Sequence, residues 1–218
     1  NQTLNDRNID QFCGANICYS HHLTFYTLLW QRSSGAVLFG TKAEYVFGYS
    51  LCYNTKQGKT MSRDYAALPP NQVRRSDRAV TDEAWIAEML THAPIGTLAT
   101  VHEGQPFINS NLFVYDAQNQ AIYTHTAQVG RTRANVEGDA KVCFSVSDMG
   151  RLLPADEALE FSVEYSGVVV FGRATMIEGE QAERALQMLL DKYFPHLQSG
   201  RDYRPITLDE LKRTSVFQ

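Results

Sequence analysis

The segment from Ile95 to Val146 constrains the fold more than any other part of the sequence. It contains three strand-like runs, which are separated by two polar turns and one short helical segment. The turns, His102–Gln105 and Asp116–Gln120, are rich in residues that reverse a chain, and short β-prone runs between such turns are typical of antiparallel hairpins. The segment therefore predicts a small antiparallel sheet.

The rest of the chain adds strands and a few helices around this sheet. Apolar residues at helical spacing predict a helix from an N-cap at Thr81 to a stop before Pro94, and a longer amphipathic helix over 180–194. Within the segment Ile95–Val146, one strand is predicted over 106–115. Outside it, strands are predicted over 161–177 and 214–217. Many short strands with few helices predict a mainly β fold with peripheral α-helices, built on a small antiparallel barrel.

One corner of the predicted sheet has the features of an anion site. The run Thr126–Arg133 passes from the end of a strand, through Gly130, into the start of a helix. A helix N-terminus carries unpaired backbone N–H groups and a partial positive charge, so it suits a phosphate. Arg131 and Arg133 add cationic donors where cations oppose the helix dipole unless an anion is bound. We therefore predict a phosphate-binding corner; the alternative is a pair of solvated surface arginines.

Polar residues on the preceding strands are candidates for the same site. His125 directly precedes the corner in an alternating strand, where it could be structural, hydrogen-bond a ring or carbonyl, or transfer a proton. Asn109, Ser110 and Asn111 place three small polar side chains in the middle of another strand. These three residues fit either a strand beside a heteroaromatic ring or a partly exposed strand.

Composition and missing motifs exclude several classes of protein. The formal net charge of −4 disfavours a nucleic-acid partner, which needs a basic face. No apolar run approaches the ~20 residues that span a bilayer, so we expect no membrane association. The chain lacks the Walker phosphate loop, the G-x-G-x-x-G turn, the G-x-S-x-G elbow and the H-E-x-x-H motif. The four cysteines form no evident disulfide framework, so we expect a cytoplasmic protein.

The first sixty residues do not match the rest of the chain. They hold many aromatic residues and few charges. The composition changes at Met61, and the sequence from this methionine resembles the natural N-terminus of a protein. We predict one domain over residues 61–218, preceded by an extension over 1–60 that is spurious, disordered or packed on the barrel. Four zinc-compatible side chains fall close together there: Cys13, Cys18, His21 and His22. Zinc-binding pairs are normally farther apart, so we expect no metal site.

Several stretches together resemble the FMN-binding split barrels related to pyridoxamine 5′-phosphate oxidase. Within that family the chain looks most like the nitroimidazole-resistance (nitroimidazole reductase) proteins. The similar stretches are the arm RRSDR, then IGTLATV, QPFINSNLFVYD, IYTHTAQVGRTRANV, LEFSVEYSGVVVFGRAT and RPITLDELKRTSVF. Their order and spacing carry the resemblance, which covers most of the chain from Met61 onward.

The resemblance implies an antiparallel six-stranded split β-barrel that forms a homodimer with FMN at the subunit interface. By position, His125 corresponds to the histidine that faces the flavin and the ligand. The phosphate would lie at Thr126, Gly130, Arg131 and Arg133, and the strand of Asn109, Ser110 and Asn111 would line the isoalloxazine ring. Two departures stand out: many relatives carry a lysine where this chain has Thr132, and they continue past the final strand into a tail that this chain lacks. We therefore expect a C-terminally truncated domain.

These expectations lead to an FMN-dependent oxidoreductase with a small-molecule, aromatic substrate. A nitroaromatic substrate is suggested by the resemblance alone. The alternatives are a non-catalytic flavin- or haem-binding protein on the same barrel, and a barrel that serves as a protein or nucleic-acid interaction module. In the leading interpretation His125 is the catalytic residue, and no metal takes part.

Overall fold

The computed structural model describes residues 43–51 and 64–218. Its strands in these ranges are β1 (Ala43–Leu51), β2 (Ala79–Val80), β3 (Gly96–His102), β4 (Gln105–Asn111), β5 (Phe113–Asp116), β6 (Ala121–Ala127), β7 (Lys141–Leu153), β8 (Ser162–Arg173), β9 (Met176–Ile177) and β10 (Thr214–Phe217). The helices are α1 (Glu83–His92), α2 (Arg131–Gly138), α3 (Gly179–Tyr193) and α4 (Leu208–Lys212). Single 3-10 turns occupy Tyr65–Ala67, Ser76–Arg78 and Ala158–Glu160.

The described strands form two antiparallel sheets. The first sheet has six strands in the order β2-β1-β8-β7-β3-β4, and the second has four in the order β5-β6-β10-β9. The prediction of a mainly β fold with peripheral helices is confirmed. The closure of six strands into a split barrel stays an expectation from the resemblance. Within the described part of the chain, no helix is both long and apolar enough to cross a membrane.

Strand β1 lies inside the stretch that the sequence analysis separated from the domain. It pairs with β8 from Leu51 opposite Tyr165 to Ala43 opposite Gly172. The division of the chain into 1–60 and 61–218 stays a prediction. Met61 and the four zinc-compatible side chains, Cys13, Cys18, His21 and His22, lie outside the described residues.

The predicted single strand over 106–115 is wrong, because the chain changes sheets at Leu112. Strand β4 ends before this residue at the edge of the first sheet, and β5 begins after it at the edge of the second. The Tyr193 hydroxyl serves the backbone at the change. It accepts from the Phe113 N–H (3.1 Å) and donates toward the carbonyl oxygens of Pro94 (2.9 Å) and Phe113 (3.0 Å). A side chain thus supplies the partners that a continuous strand would have found in its neighbour.

A capping side chain marks the start of α1. Helix α1 is capped by Asp82, whose carboxylate accepts from the N–H groups of Ala84 and Trp85, so the predicted N-cap at Thr81 is wrong by one residue. The carboxylate is the stronger acceptor at a helix N-terminus because the dipole favours negative charge there. The amphipathic helix predicted over 180–194 is confirmed as α3.

The main core lies between the two sheets. Phe113 of β5 and Phe144 of β7 are almost fully buried and meet edge to face, with ring centroids 4.9 Å apart. Ile86 and Leu90 of α1 close this core. A side chain at Gly96 of β3 would overlap the Phe144 ring of β7, so the close approach of β3 to this ring requires glycine. Burying one large apolar side chain stabilises a fold by roughly 1.5–3 kcal/mol, so the cluster accounts for much of the contact between the sheets.

A second cluster fixes α3 on the outer face of the four-stranded sheet. Three alanine and leucine side chains of the helix pack there against the strands: Ala182, Ala185 and Leu189. At the end of α3 the Lys192 ammonium donates to the carbonyl oxygen of Ala93 (2.9 Å) and lies 3.8 Å from the centroid of the Phe113 ring. The last turn of α3 therefore holds both the α1–β3 connection and the change of sheets.

Lys192 is half-buried, and burial lowers its pKa to about 8. In the unfolded chain the group keeps its ordinary pKa near 10.5, so between these values the unfolded state binds more protons than the folded state. Stability linked to Lys192 is therefore fully present above the unfolded pKa and is lost as the pH falls through about 8. We expect the free energy of unfolding of the wild type, relative to Lys192→Met, to increase from pH 7 to pH 10 in urea titrations.

Lys141→Met is the matched control for this experiment, because it removes an exposed lysine. Its difference from the wild type should stay constant over the same pH range. A Lys192→Met difference that is equally flat would contradict the assigned burial of the ammonium.

Candidate cofactor site

The corner between β6 and α2 is an open helix N-terminus. Strand β6 ends at Ala127 and α2 begins at Arg131, with Gly130 as the N-cap in an extended conformation (φ 164°, ψ 170°). Among the described residues no side chain caps the helix, and a Cβ atom at Gly130 would meet none of their heavy atoms within 4 Å. The first N–H groups of α2 are therefore available to an external acceptor, and the helix dipole favours an anion there.

The first turn of α2 connects the two sheets. The Arg131 guanidinium carbon lies 5.1 Å from the centroid of the Phe107 ring on β4. The Thr132 hydroxyl accepts from the Asn109 amide of the same strand (3.3 Å). Arg133 turns the other way, toward β10, where its Nη1 donates to the Ser215 hydroxyl (3.2 Å). The consecutive side chains of Thr132 and Arg133 therefore contact different sheets.

The two arginines differ in their electrostatic surroundings. Arg133 also donates from Nε to the Glu137 carboxylate at 2.8 Å, which forms an i,i+4 ion pair within α2. Arg131 is exposed and has no carboxylate within ion-pair distance among the described residues. Its positive charge at a helix N-terminus is therefore uncompensated, which is unfavourable for the helix dipole. A bound anion would make the electrostatic interaction with the helix dipole favourable.

The three polar residues of β4 divide between the two faces of the strand. Asn109 faces inward toward α2, opposite the core residue Leu98. Ser110 faces outward, and its hydroxyl lies 2.9 Å from the hydroxyl of Thr97. By strand alternation Asn111 shares the face of Asn109, and its amide nitrogen is buried without a hydrogen-bond partner in the part of the chain that the structure describes. An unpaired buried donor costs roughly 1–3 kcal/mol, so this amide is available to an acceptor.

His125 and Thr126 lie on opposite faces of the four-stranded sheet. His125 is opposite Val216 of β10 and shares the face of Tyr123, against which α3 packs. Thr126 is opposite Ser215 and faces the corner side, with its hydroxyl donating to the Ala127 carbonyl oxygen (3.0 Å). The structure brings Thr126, Gly130, Arg131 and Arg133 together, whereas His125 and Ser110 project from other surfaces.

Other residues of the site had weak signals in the sequence. Phe107 was not named as a site residue, although it lies two positions before the predicted site residue Asn109, and strand alternation places both on one face. Ser215 could not, because its contact with Arg133 joins residues 82 positions apart. Asn135 of α2 was also missed: it is fully buried, and its amide donates to the Thr100 hydroxyl of β3 (2.9 Å).

Comparison with known proteins identifies the family. Residues 82–218 match the family model described as pyridoxamine 5′-phosphate oxidase, which is more than half of the chain. The chain belongs to the pyridoxamine 5′-phosphate oxidase family. A search of curated proteins gives no match.

Other proteins of solved structure share the fold of this chain. An FAD and heme binding protein from Mycobacterium smegmatis is 22% identical, with 63% of this chain and 65% of that chain covered and a TM-score of 0.56. The flavocytochrome Anf3 from Azotobacter vinelandii is 23% identical, with 62% of each chain covered and a TM-score of 0.53. The chain therefore spans less than two thirds of the length of these two proteins.

A third structure is a protein from Bacteroides thetaiotaomicron described as a candidate 5-nitroimidazole antibiotic resistance protein. It is 18% identical, with 63% of this chain and 78% of that chain covered and a TM-score of 0.53. Together with the family match, these likenesses confirm the resemblance that the sequence analysis stated.

The environment of His125 has a consequence for its protonation. Although the residue as a whole is exposed, partial burial of its ring lowers the pKa below the ordinary value of 6.5. We expect an NMR titration to give a midpoint for His125 below this value, with a neutral imidazole at pH 7. The His125→Gln variant assigns the resonance. A midpoint at or above the ordinary value would contradict the assigned environment.

Proposed function

We propose that the protein is an FMN-binding flavoprotein that acts as an oxidoreductase on a small aromatic substrate in the cytoplasm. The observation that carries this proposal is the uncapped N-terminus of α2 with the unpaired Arg131 beside it, in a chain of the pyridoxamine 5′-phosphate oxidase family. Two proteins with a similar solved structure, an FAD and heme binding protein and a flavocytochrome, support a flavin.

The residues at the corner fit a terminal phosphate. A phosphate monoester carries a charge between about −1.5 and −2 at pH 7. The helix N-terminus contributes the equivalent of about half a positive charge, and Arg131 contributes a full one. Gly130 leaves open space beside the backbone, which allows an acceptor to approach the N–H groups. Arg131 and these N–H groups would hold the phosphate, with Thr126 next to them.

Polar groups on the neighbouring strands would contact the ring. The buried Asn111 amide has a free donor for a ring carbonyl or nitrogen, and Asn109 fixes the start of α2 through Thr132. His125 projects from another face of its sheet than the phosphate corner, and its neutral imidazole offers one donor and one acceptor that could orient a substrate or transfer a proton there. When bound, the flavin supplies the electron-transfer chemistry.

The substrate class follows from the third relative alone. That protein is associated with resistance to a nitroimidazole antibiotic, which supports a nitroaromatic electron acceptor for this chain. The alternative is a non-catalytic flavin- or haem-binding protein, favoured by the heme named for the relative from M. smegmatis. The absorption spectrum of the purified protein separates the two cofactors, because haem gives a Soret band and FMN a flavin spectrum.

The phosphate corner is tested by comparing FMN with riboflavin, which lacks the phosphate. A charge-assisted hydrogen bond contributes roughly 1.5–3 kcal/mol, so we expect Arg131→Ala to raise the Kd for FMN about 10- to 100-fold in fluorescence titrations. The Kd for riboflavin should stay unchanged, because it makes no phosphate contact.

Arg173→Ala is the matched control, since it removes an exposed arginine at the end of β8. It should leave both affinities unchanged. If the wild type bound neither flavin, or if Arg131→Ala weakened FMN and riboflavin equally, the phosphate corner would be wrong.

The outer face of the six-stranded sheet is the surface that we propose for a homodimer. Four adjacent strands place one residue each in a row across this face: Ile108, Ala99, Cys143 and Phe171. All four are apolar, and the Ile108 side chain is 76% exposed. A continuous apolar row on a strand face is typical of a surface that pairs with another sheet. Ser110 shares this face, so a second copy would lie beside the strand that carries part of the proposed ring site.

A charge at the exposed end of the row should separate the two copies. We expect Ile108→Asp to convert a dimer into a monomer in analytical ultracentrifugation, because an unpaired carboxylate would be buried in the interface. Leu208→Asp is the control, since Leu208 is 73% exposed on α4, away from this sheet. A wild type that sediments as a monomer would contradict the proposed interface.

A further inference from the structure

We infer that Arg133 is a positioning residue, which ties α2 to the strand β10 and so holds the phosphate corner in place without binding the phosphate itself. This inference rests on the proposed flavin site and assigns unequal roles to the two arginines of the corner.

The contacts of Arg133 point away from the open helix end. Its Nε donates to Glu137, one turn further along α2, and its Nη1 donates to Ser215 of β10. The guanidinium is a planar fork, so these two bonds fix the orientation of the whole group. Its Nε and Nη1 are therefore engaged with partners inside the protein, and a rotation of the group would break these two bonds. Arg131 makes no side-chain hydrogen bond or ion pair among the described residues. Its guanidinium lies over the Phe107 ring, and the residue remains exposed.

The two partners of Arg133 differ in importance. Glu137 is half-exposed, and an i,i+4 ion pair on a helix surface contributes little because water competes for both charges. Ser215 is only 4% exposed and lies in a strand whose next two residues, Val216 and Phe217, are fully buried. The bond to Ser215 therefore joins α2 to a buried part of the core, and this contact carries the positioning role.

Strand β10 also holds the other side of the corner. Ser215 is opposite Thr126 and Thr214 is opposite Ala127 in the pairing with β6, and the Gln128 N–H donates to the Arg213 carbonyl oxygen (3.3 Å). One strand thus fixes the chain where it enters the corner, and through Arg133 it fixes the helix where the chain leaves. A binding site needs its groups held to within about 0.5 Å, so loss of either connection would misplace the N–H groups.

The test is a double-mutant cycle on Arg133 and Ser215, read out as the Kd for FMN and for riboflavin. We expect Arg133→Ala and Ser215→Ala each to weaken FMN about 3- to 10-fold and to leave riboflavin nearly unchanged. The double variant should be no weaker than Arg133→Ala alone, because both changes break the same connection. Arg131→Ala combined with Ser215→Ala should multiply the separate effects. A purely structural loss would weaken both flavins alike, so the ratio of the two affinities is the specific readout.

Two further variants separate positioning from direct binding. Arg133→Lys keeps the positive charge but cannot reproduce the fork, so a positioning role predicts the same loss as Arg133→Ala. A direct phosphate ligand would instead keep most of its affinity in the lysine variant at low salt. Glu137→Ala, which removes the surface partner, should change the Kd for FMN less than twofold.

The outcomes distinguish this inference from the proposed function. A wild type that binds FMN no better than riboflavin would overturn the phosphate corner and the inference with it. A wild type that prefers FMN, together with a Ser215→Ala variant of wild-type affinity or an additive cycle, would overturn only the role of Arg133. An Arg133→Ala variant with an unchanged affinity for FMN would also overturn only the role of Arg133.

Discussion

The change of sheets at Leu112 is the constraint on which the rest of this structure depends. A strand that leaves one sheet and enters another exposes backbone groups that must find new partners, and an unpaired buried group costs roughly 1–3 kcal/mol. The Tyr193 hydroxyl supplies partners for both the N–H and the carbonyl of Phe113. Lys192 holds the neighbouring connection through Ala93. The end of α3 therefore stabilises the point where the two sheets diverge, although α3 packs on only one of them.

The candidate site is a consequence of this divergence. Strands β4 and β5 belong to different sheets, and α2 contacts both of these sheets. Its side chains reach β4 through Thr132, β3 through Asn135 and β10 through Arg133. These contacts use the sides of the helix and leave its N-terminus free of capping side chains. The fold thus presents the positive end of a helix dipole at a surface, next to an arginine that has no acidic partner in the described chain.

Local patterns in the sequence predicted most of the elements. The amphipathic spacing gave α3, the turn residues gave the hairpins of β3–β4 and β5–β6, and the Thr207–Glu210 capping box that marks α4 is present. The change of sheets could not be predicted, because no glycine or proline interrupts the run 107–115 and the deciding hydroxyl is 80 positions away. The site shows the same division: the corner follows from adjacent residues, whereas the orientation of Arg133 depends on Ser215.

Strand β10 occupies the centre of the second sheet, between β6 and β9, although the chain reaches it only after α3 and α4. Pairing residues so far apart in sequence has a large entropic cost of loop closure, and such topologies fold slowly. The corner is framed by β10 on both sides, so it acquires its final geometry late in folding. A ligand of this corner would act on a chain that has already folded. It would stabilise the protein by slowing unfolding and would leave the folding rate almost unchanged.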